Sequence, residues 1–455
     1  MKPTEFRVLS PTGMLGYGFP EESFRRGMDK QPHVVGVDAG STDPGPYYLG
    51  AGKSFTNRAA VKRDLQIILK ATVPASVPFV IGSAGGCGAR VHVDWTREII
   101  EEIAREQGLA FRMAVAYGDV SKSDVVAAFD VGRVRPLGPA PELTREDIDN
   151  ATRIVAQMGP EPVYKALDAG CDVVLCGRCY DPVPFAAPAI RLGFDPGLAY
   201  HMGKILECAA IAATPGSGCD CVLGTLRSDD FTLQALNPQR QFTRLSTAAH
   251  TLYEKSDPYH LPGPGGAIDL HDAVFDAKPD GTVQVSGTTF EPSDPYMIKL
   301  EGAERVGFRT ICIAGVRDPI LIGEVDAVLD EIRKLTAERF AAEGLAYELF
   351  FHVYGRDAIM GQREPERDSP AHELGIVIEV IAPVQDDAKL VCSFVRSTLL
   401  HYGYPARIST AGNLALLYSP SDIDCGEVYK FCIYHLMQVD HPEDLFEVEI
   451  VEVGR

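Results

Sequence analysis

Short β-branched runs and amphipathic stretches alternate through the first two-thirds of the chain. His33–Asp38 (HVVGVD) and Val77–Gly82 (VPFVIG) are apolar runs of strand length, and each leads into small and polar residues. Phe111–Tyr117 and Cys171–Cys176 (CDVVLC) read the same way. Thr96–Gly108 predicts a helix: Thr96 would cap it, Glu98 and Glu101 suit its positive end, and Ile99, Ile100 and Ile103 form an apolar face. Asp149–Met158 and Val163–Ala169 also carry helical spacing. Short buried strands between helices predict an α/β fold with a large Rossmann-like, mostly parallel sheet covered on both faces. Ligands of such sheets lie beyond the carboxyl ends of the strands, and those ends here carry Gly, Ser and Asp.

The pattern changes further on. Asp257–Gly266 is rich in Pro and Gly, and 283–290 and 308–315 have β character, so a β-rich insertion is expected over about 257–320. Glu324–Glu343 carries a helical stripe of Val325, Val328, Leu329, Ile332, Leu335 and Phe340. Gly361–Ala371 (GQREPERDSPA) is polar and reads as a linker. After it, Leu374–Ile381 reads β, Asp386–His401 α, Ala406–Thr410 β, Asn413–Tyr418 β, Cys425–Met437 α and Leu445–Val453 β. That βαββαβ order predicts a small ferredoxin-like α+β domain over 372–455, behind a large α/β domain over 1–360.

Composition narrows the class of function. The chain has 455 residues, 45% of them hydrophobic and 23% charged, which suits a globular protein with a full core. A formal charge of −20 argues against nucleic acid and anionic membranes as partners. No leader pattern opens the chain, and no run approaches about 18 uninterrupted apolar residues. The 11 cysteines are scattered and odd in number, which suits reduced thiols, and a cytoplasmic protein is expected.

Five stretches carry candidate chemistry. Asp38–Pro46 offers two carboxylates, Asp38 and Asp43, with the hydroxyls of Ser41 and Thr42 at the end of a strand. Gly82–Gly88 (GSAGGCG) brings Ser83, Gly85 and Gly86 into a turn whose backbone N–H groups can hold an oxyanion; it is neither a Walker loop nor a full GxGxxG. Leu175–Pro184 places Arg178 and Asp181 just past a strand, where a guanidinium can grip a carboxylate or phosphate. The CxxC formed by Cys176 and Cys179 lacks the second pair that a zinc site wants. On the predicted helix Tyr200–Ala210, His201, Lys204 and Glu207 share a face, and small apolar neighbours would bury Glu207 and raise its pKa. His250 and Glu254 are i,i+4 on the helix of Ser246–Pro258. Each stretch also has a structural reading, as a fixed turn, a packing joint or an ordinary ion pair.

Taken together, Val37–Gly50 (VDAGSTDPGPYYLG), 82–86 (GSAGG), 177–182 (GRCYDP), 201–208 (HMGKILEC), 248–254 (AAHTLYE) and 313–319 (IAGVRDP) resemble the acyclic terpene utilisation family, AtuA. The resemblance spans nearly the whole chain and implies a large N-terminal domain followed by a small ferredoxin-fold domain. It also implies a bacterial-type catabolic setting in which small or branched acids are handled as CoA thioesters. It transfers no catalytic residues.

The leading expectation is a lyase, hydratase or isomerase acting on a small or branched acid or its acyl-CoA, with proton transfer next to a carbonyl and no redox cofactor. Glu207, His250 and Asp43 would be catalytic. Asp38, Ser41, Thr42, Ser83, Gly85, Gly86, Arg178, Asp181, His201 and Glu254 would bind substrate, and Asp38 with Asp43 could hold a divalent cation such as Mg²⁺. The alternatives are a non-catalytic acyl-ligand or assembly subunit, and a nucleotide-dependent enzyme using the 82–88 loop. A homo-oligomer is expected.

Overall fold

The computed structural model describes residues 3–253, 257–408 and 410–454. The chain divides into two compact units, Met1–Glu304 with Phe431–Arg455, and Arg305–Lys430. No helix among the described residues is long and apolar enough to cross a membrane.

The first unit is built on a ten-stranded sheet. Its strands are β1 (Phe6–Ser10), β2 (Val34–Asp38), β3 (Phe79–Gly82), β4 (Phe111–Ala116), β5 (Val173–Cys176), β6 (Val222–Leu226), β7 (Asp230–Ala235), β8 (Val274–Ala277), β9 (Val283–Ser286) and β10 (Val448–Val453). Their spatial order is β8-β9-β7-β6-β1-β2-β3-β5-β4-β10. Only the central run β1-β2-β3-β5-β4 is parallel. The strands flanking it pair antiparallel on both sides. The α/β class expected from the sequence holds, but the sheet is mixed rather than mostly parallel.

The parallel strands are apolar on both faces because both are covered. Val35, Val37, Ile81 and Leu175 pack with Leu65, Ile68, Val93 and Ile100 of helices α1 (Arg58–Ala75) and α2 (Arg90–Gln107). Val34, Val80 and Val174 face the other way, onto α3 (Val183–Arg191) and α4 (Pro196–Leu206). Helix α2 starts at Arg90, not at Thr96; Thr96 lies inside it, buried, and donates to the His92 carbonyl at 2.9 Å. The expected helix Asp149–Met158 is a helix only at Arg145–Asn150 and then a strand, Arg153–Ala156, paired with Leu300–Ala303. The insertion adds a three-stranded sheet of His260–Gly263, Gly266–Asp269 and Thr289–Pro292.

The second unit corrects the sequence reading most. Cys425–Met437 is not a helix; it belongs to the strand Asp422–Gln438. Alternation of buried Ile433, His435 and Met437 with less buried neighbours shows the period of two that a strand requires. Ala406–Thr410 contains no strand among its described residues, and Asn413–Tyr418 keeps only Ala415–Leu416. Val448–Val453 joins the first unit's sheet as β10. Yet a βαββαβ order is present, beginning earlier than expected. It runs through the strand ending at Val316, helix Val325–Phe340, strands Glu348–Tyr354 and Leu374–Ala382, helix Gln385–His401 and the strand from Asp422. The strand Leu374–Ala382 pairs antiparallel with Phe308–Val316 on one side and Glu348–Tyr354 on the other. The two helices cover this sheet through Leu329, Ile332, Val391 and Val395. Gly361–Ala371, expected to separate domains, lies inside the unit as a connection between two paired strands.

Candidate functional site

Three loops meet beyond the carboxyl ends of β2, β3 and β5. Asp38 closes β2 in register with Gly82 at the end of β3. Two glycines allow the loops to close up. A Cβ on Gly40 (φ 145°) would lie 2.6 Å from Gly86 Cα, and one on Gly88 (φ 65°) would lie 2.1 Å from the Arg178 backbone nitrogen. The chain brings a fourth element over them: α4 packs so closely on Pro182 that a Cβ on Gly203 would be 2.7 Å from the Pro182 carbonyl oxygen. That approach brings Glu207 near enough for its charge to act on Asp38. Ser10, at the end of β1, holds the end of α4 by donating to the Leu206 carbonyl at 2.6 Å.

Arg178 is the hub of the cluster. It leads the fully buried side chains by volume. Its Nε donates to Glu301 Oε2 at 2.7 Å, and one terminal nitrogen donates to Asp181 (2.9 Å), to the Cys179 carbonyl (2.9 Å) and to Ser83 Oγ (3.2 Å). Glu301 is itself wholly buried. Burial works to raise its pKa, and the charges of Arg178 and Lys299 outweigh that, leaving it at about 2. Its other oxygen accepts from Thr42 Oγ1 at 2.7 Å and from Lys299 Nζ at 2.6 Å. So Thr42 and Arg178, expected to hold substrate, are committed to Glu301.

Asp38 is in the opposite condition. The residue is 7% exposed and its Oδ1 is buried with no hydrogen-bond partner. Burial pushes its pKa well above the ordinary range; the negative charges of Asp181 and Glu207 add to this, and Arg178 with the Gly40 N–H only partly offsets it. Glu207 accepts from Lys204 Nζ at 2.6 Å, with both side chains more than nine-tenths buried. The Lys204 ammonium lies 4.9 Å from the centre of the Tyr253 ring, and that ring packs 4.9 Å from His250. The structure thus gathers Asp38, Arg178, Asp181, Ser83 and Glu207, with His250 reached through Tyr253.

Other candidates have different surroundings. His201 turns away from Glu207: its ring bonds Thr288 (2.7 Å) and Thr251 (3.0 Å) and packs edge-on against Phe231. Burial, with the nearby Lys204 charge, lowers its pKa to about 3. Ser41 and Asp43 bond each other at 2.8 Å in an exposed turn. The 82–88 turn spends most of its N–H groups internally: Ser83 and Ala84 donate to the Gly177 and Cys176 carbonyls, and Gly86 and Gly88 to the Ser83 and Ala84 carbonyls. It is a packing joint with Gly85 against His92 and Gly86 against Phe55, not an open oxyanion cradle. Ser83 nevertheless sits at φ 47°, a left-handed conformation for a residue with a side chain, held by its bonds to Arg178 and Cys179. Cys87 is buried and its pKa is pushed up to about 12, so its thiol stays protonated. Glu254 lies outside the described residues. Among them, the only grouping of three His, Cys or acidic ligand atoms within 4.8 Å is the exposed His441, Glu443 and Asp444, so Asp38 and Asp43 take part in none.

Lys299 and Glu301 carried no sequence signal. They sit inside a long strand, Met297–Val316, with no turn or glycine motif beside them.

His201 gives a prediction about stability. Its folded pKa is lowered, so the unfolded chain binds the extra proton, and the stability that the neutral ring contributes is present above about 6.5 and lost as pH falls toward 3. His201→Gln should therefore flatten the fall of the urea midpoint over that acid range, by a few kcal/mol at its foot. A midpoint profile parallel to the unaltered protein's would contradict a neutral, buried His201.

Residues 58–218 match the model of a family described as acyclic terpene utilisation family protein AtuA. No curated protein and no solved structure matches the chain.

Proposed function

We propose, from a chain that carries the acyclic terpene utilisation family's model over residues 58–218, that the Asp38 cluster moves a proton on a small or branched acid or its acyl-CoA. The family's description gives a catabolic role in acyclic terpene utilisation. The observation that carries the finer reading is Asp38 itself: a buried carboxyl, its Oδ1 unpartnered, near the carboxyl groups of Asp181, past the end of β5, and Glu207, at the end of α4. Such an acid is held neutral and can give up a proton that an exposed aspartate would already have lost.

In this reading Glu207, paired with Lys204, takes the proton from the carbon next to the acyl carbonyl. Asp38 delivers its own proton to the departing hydroxyl, and water leaves; the reverse sequence adds water. Arg178 and Glu301 position Asp181 and Ser83 around that centre, and His250 exchanges protons at the outer end through the Tyr253 side. The reaction class is lyase, hydratase or isomerase.

The test is a melting-temperature screen against small carboxylates, hydroxy acids and acyl-CoA thioesters, followed by deuterium uptake from D₂O at the carbon next to the carbonyl. A ligand at about 100 times its Kd should stabilise the fold by about 2.7 kcal/mol. Stabilisation with deuterium uptake supports the enzyme reading. Stabilisation without uptake would replace it with the non-catalytic ligand-binding reading. An assembly role draws on the second unit, where Ile408, Leu417 and Tyr418 are 94%, 66% and 57% exposed. Light scattering of the full chain would reveal the homo-oligomer that role requires.

A further inference from the structure

We propose that a groove next to the 82–88 turn binds the purine nucleotide end of a ligand. It lies apart from the proton-transfer cluster and goes beyond that reading.

The groove is open to solvent and offers about 520 Å³, a volume within the range of small-molecule sites. One wall is the first turns of α2, where Val91, Asp94, Trp95 and Glu98 recur at helical spacing. The facing residues are Asp119, just past the end of β4, and Arg153, which opens the strand Arg153–Ala156. The groove therefore sits at the carboxyl rim of a parallel strand and beside a helix start, where open α/β sheets receive ligands.

Three features of its lining point to a flat base with an anionic tail. Trp95 is the only tryptophan of the chain, and it is partly exposed here instead of fully buried. An indole on a concave wall offers a stacking face to a planar ring. Asp94 and Asp119 stand beside it as acceptors. Asp94 is fixed by the Tyr117 hydroxyl at 3.0 Å, and Asp119 takes the Arg90 backbone N–H at 2.6 Å. Carboxyl oxygens so placed suit the exocyclic amino group of a base.

Arg153 is the third feature. It donates to the Leu49 carbonyl at 3.4 Å and to the Gly50 carbonyl, and it makes no ion pair among the described residues. Its charge acts on Asp119 across the groove, but no carboxylate reaches it at ion-pair distance among the described residues, and the donors it does not spend on Leu49 and Gly50 suit a phosphate.

A free nucleotide and the nucleotide end of a CoA thioester share this chemistry. Trp95 supplies the readout: as the sole tryptophan, its fluorescence reports the groove alone. The full chain would be titrated with ADP, with adenosine 3′,5′-bisphosphate and with CoA, and with inorganic phosphate as a control. A saturable change, half-complete below about 1 mM, is expected with at least one of the three nucleotides. Tighter binding of the bisphosphate and CoA than of ADP identifies the CoA end; tighter binding of ADP than of CoA identifies a free nucleotide. Affinity should fall about tenfold or more in Arg153→Ala, and likewise in Val91→Asp, which puts a like charge at the rim beside the Arg153 guanidinium. Circular dichroism melts would verify that each variant folds. No saturable change with any nucleotide, an equal change with phosphate alone, or unaltered affinity in a folded Val91→Asp protein would overturn the proposal. Asp38→Asn should leave the titration intact, so the failure of this site and the failure of the proton-transfer reading can be told apart.

Discussion

Glu301→Ala should destabilise the protein by about 3–5 kcal/mol, because it removes one partner of a buried ion pair and strands the other. Arg178 is 2% exposed, and Glu301 is the residue that takes its Nε. Asp181 shares the guanidinium from the other side but is itself 31% exposed, so it cannot replace a wholly buried counter-charge. The same substitution deprives the Thr42 hydroxyl and Lys299 of their acceptor. The loss would be read from urea unfolding of the full chain, following the circular dichroism midpoint. Glu301→Gln should fall between the two, since it keeps one of the two acceptor oxygens that Arg178 and Thr42 use but not the charge. A Glu301→Ala protein as stable as the original would mean that Arg178 is neutralised some other way, and the hub would have to be redrawn.

Asp38→Asn should act in opposite directions on stability and on chemistry. The folded state raises the pKa of Asp38, so the preference for its protonated form is fully present below the unfolded value of about 3.9 and is lost as pH climbs through the folded value. Asparagine has no proton to lose. The variant should therefore gain stability relative to the original protein steadily as pH rises above about 4. Its release of water from substrate should meanwhile slow by about a hundredfold or more, the scale of a lost general acid. Urea midpoints taken across pH, alongside the rate of water loss at one pH, check both arms. Parallel midpoint profiles would show that Asp38 titrates normally, and an unaltered rate of water loss would remove it from the reaction. A residue that weakens the fold at neutral pH and is kept for its chemistry is the usual compromise of a working site.

The parts of the site legible in the sequence were those that turns announce. Asp38, Ser83, Arg178 and Asp181 each follow an apolar run ending in Gly or Pro-bounded loops, and three of those runs are the parallel strands β2, β3 and β5. Glu207 was legible through its small apolar neighbours, and it is buried. What escaped was the partner. Glu301 is 123 positions from Arg178 and 259 from Thr42, and only the folded sheet brings them together. His201 shows the converse: helical spacing put it on one face with Glu207, but buried hydroxyls from Thr251 and Thr288 claim its ring. The second unit was misplaced for a related reason. Tyr429, Phe431, Cys432 and Leu436 weaken the alternation of Cys425–Met437, and the period of two emerges only in the burial of Ile433, His435 and Met437. Once that segment is a strand, the βαββαβ order slides back to start before Val316.

The edge strand β10 has a bearing on how the polypeptide emerges from the ribosome. It pairs with β4 through Val448–Val453, so the sheet begun at Phe6 is completed by residues translated more than four hundred positions later. The stretch Arg305–Lys430 is contiguous and can finish folding first, while the nascent first unit waits with β4 as an open edge. An open edge invites pairing with other chains. Shortening the polypeptide before Val448 would make that transient condition permanent, and chaperone dependence and insolubility are the symptoms such a truncated chain should display.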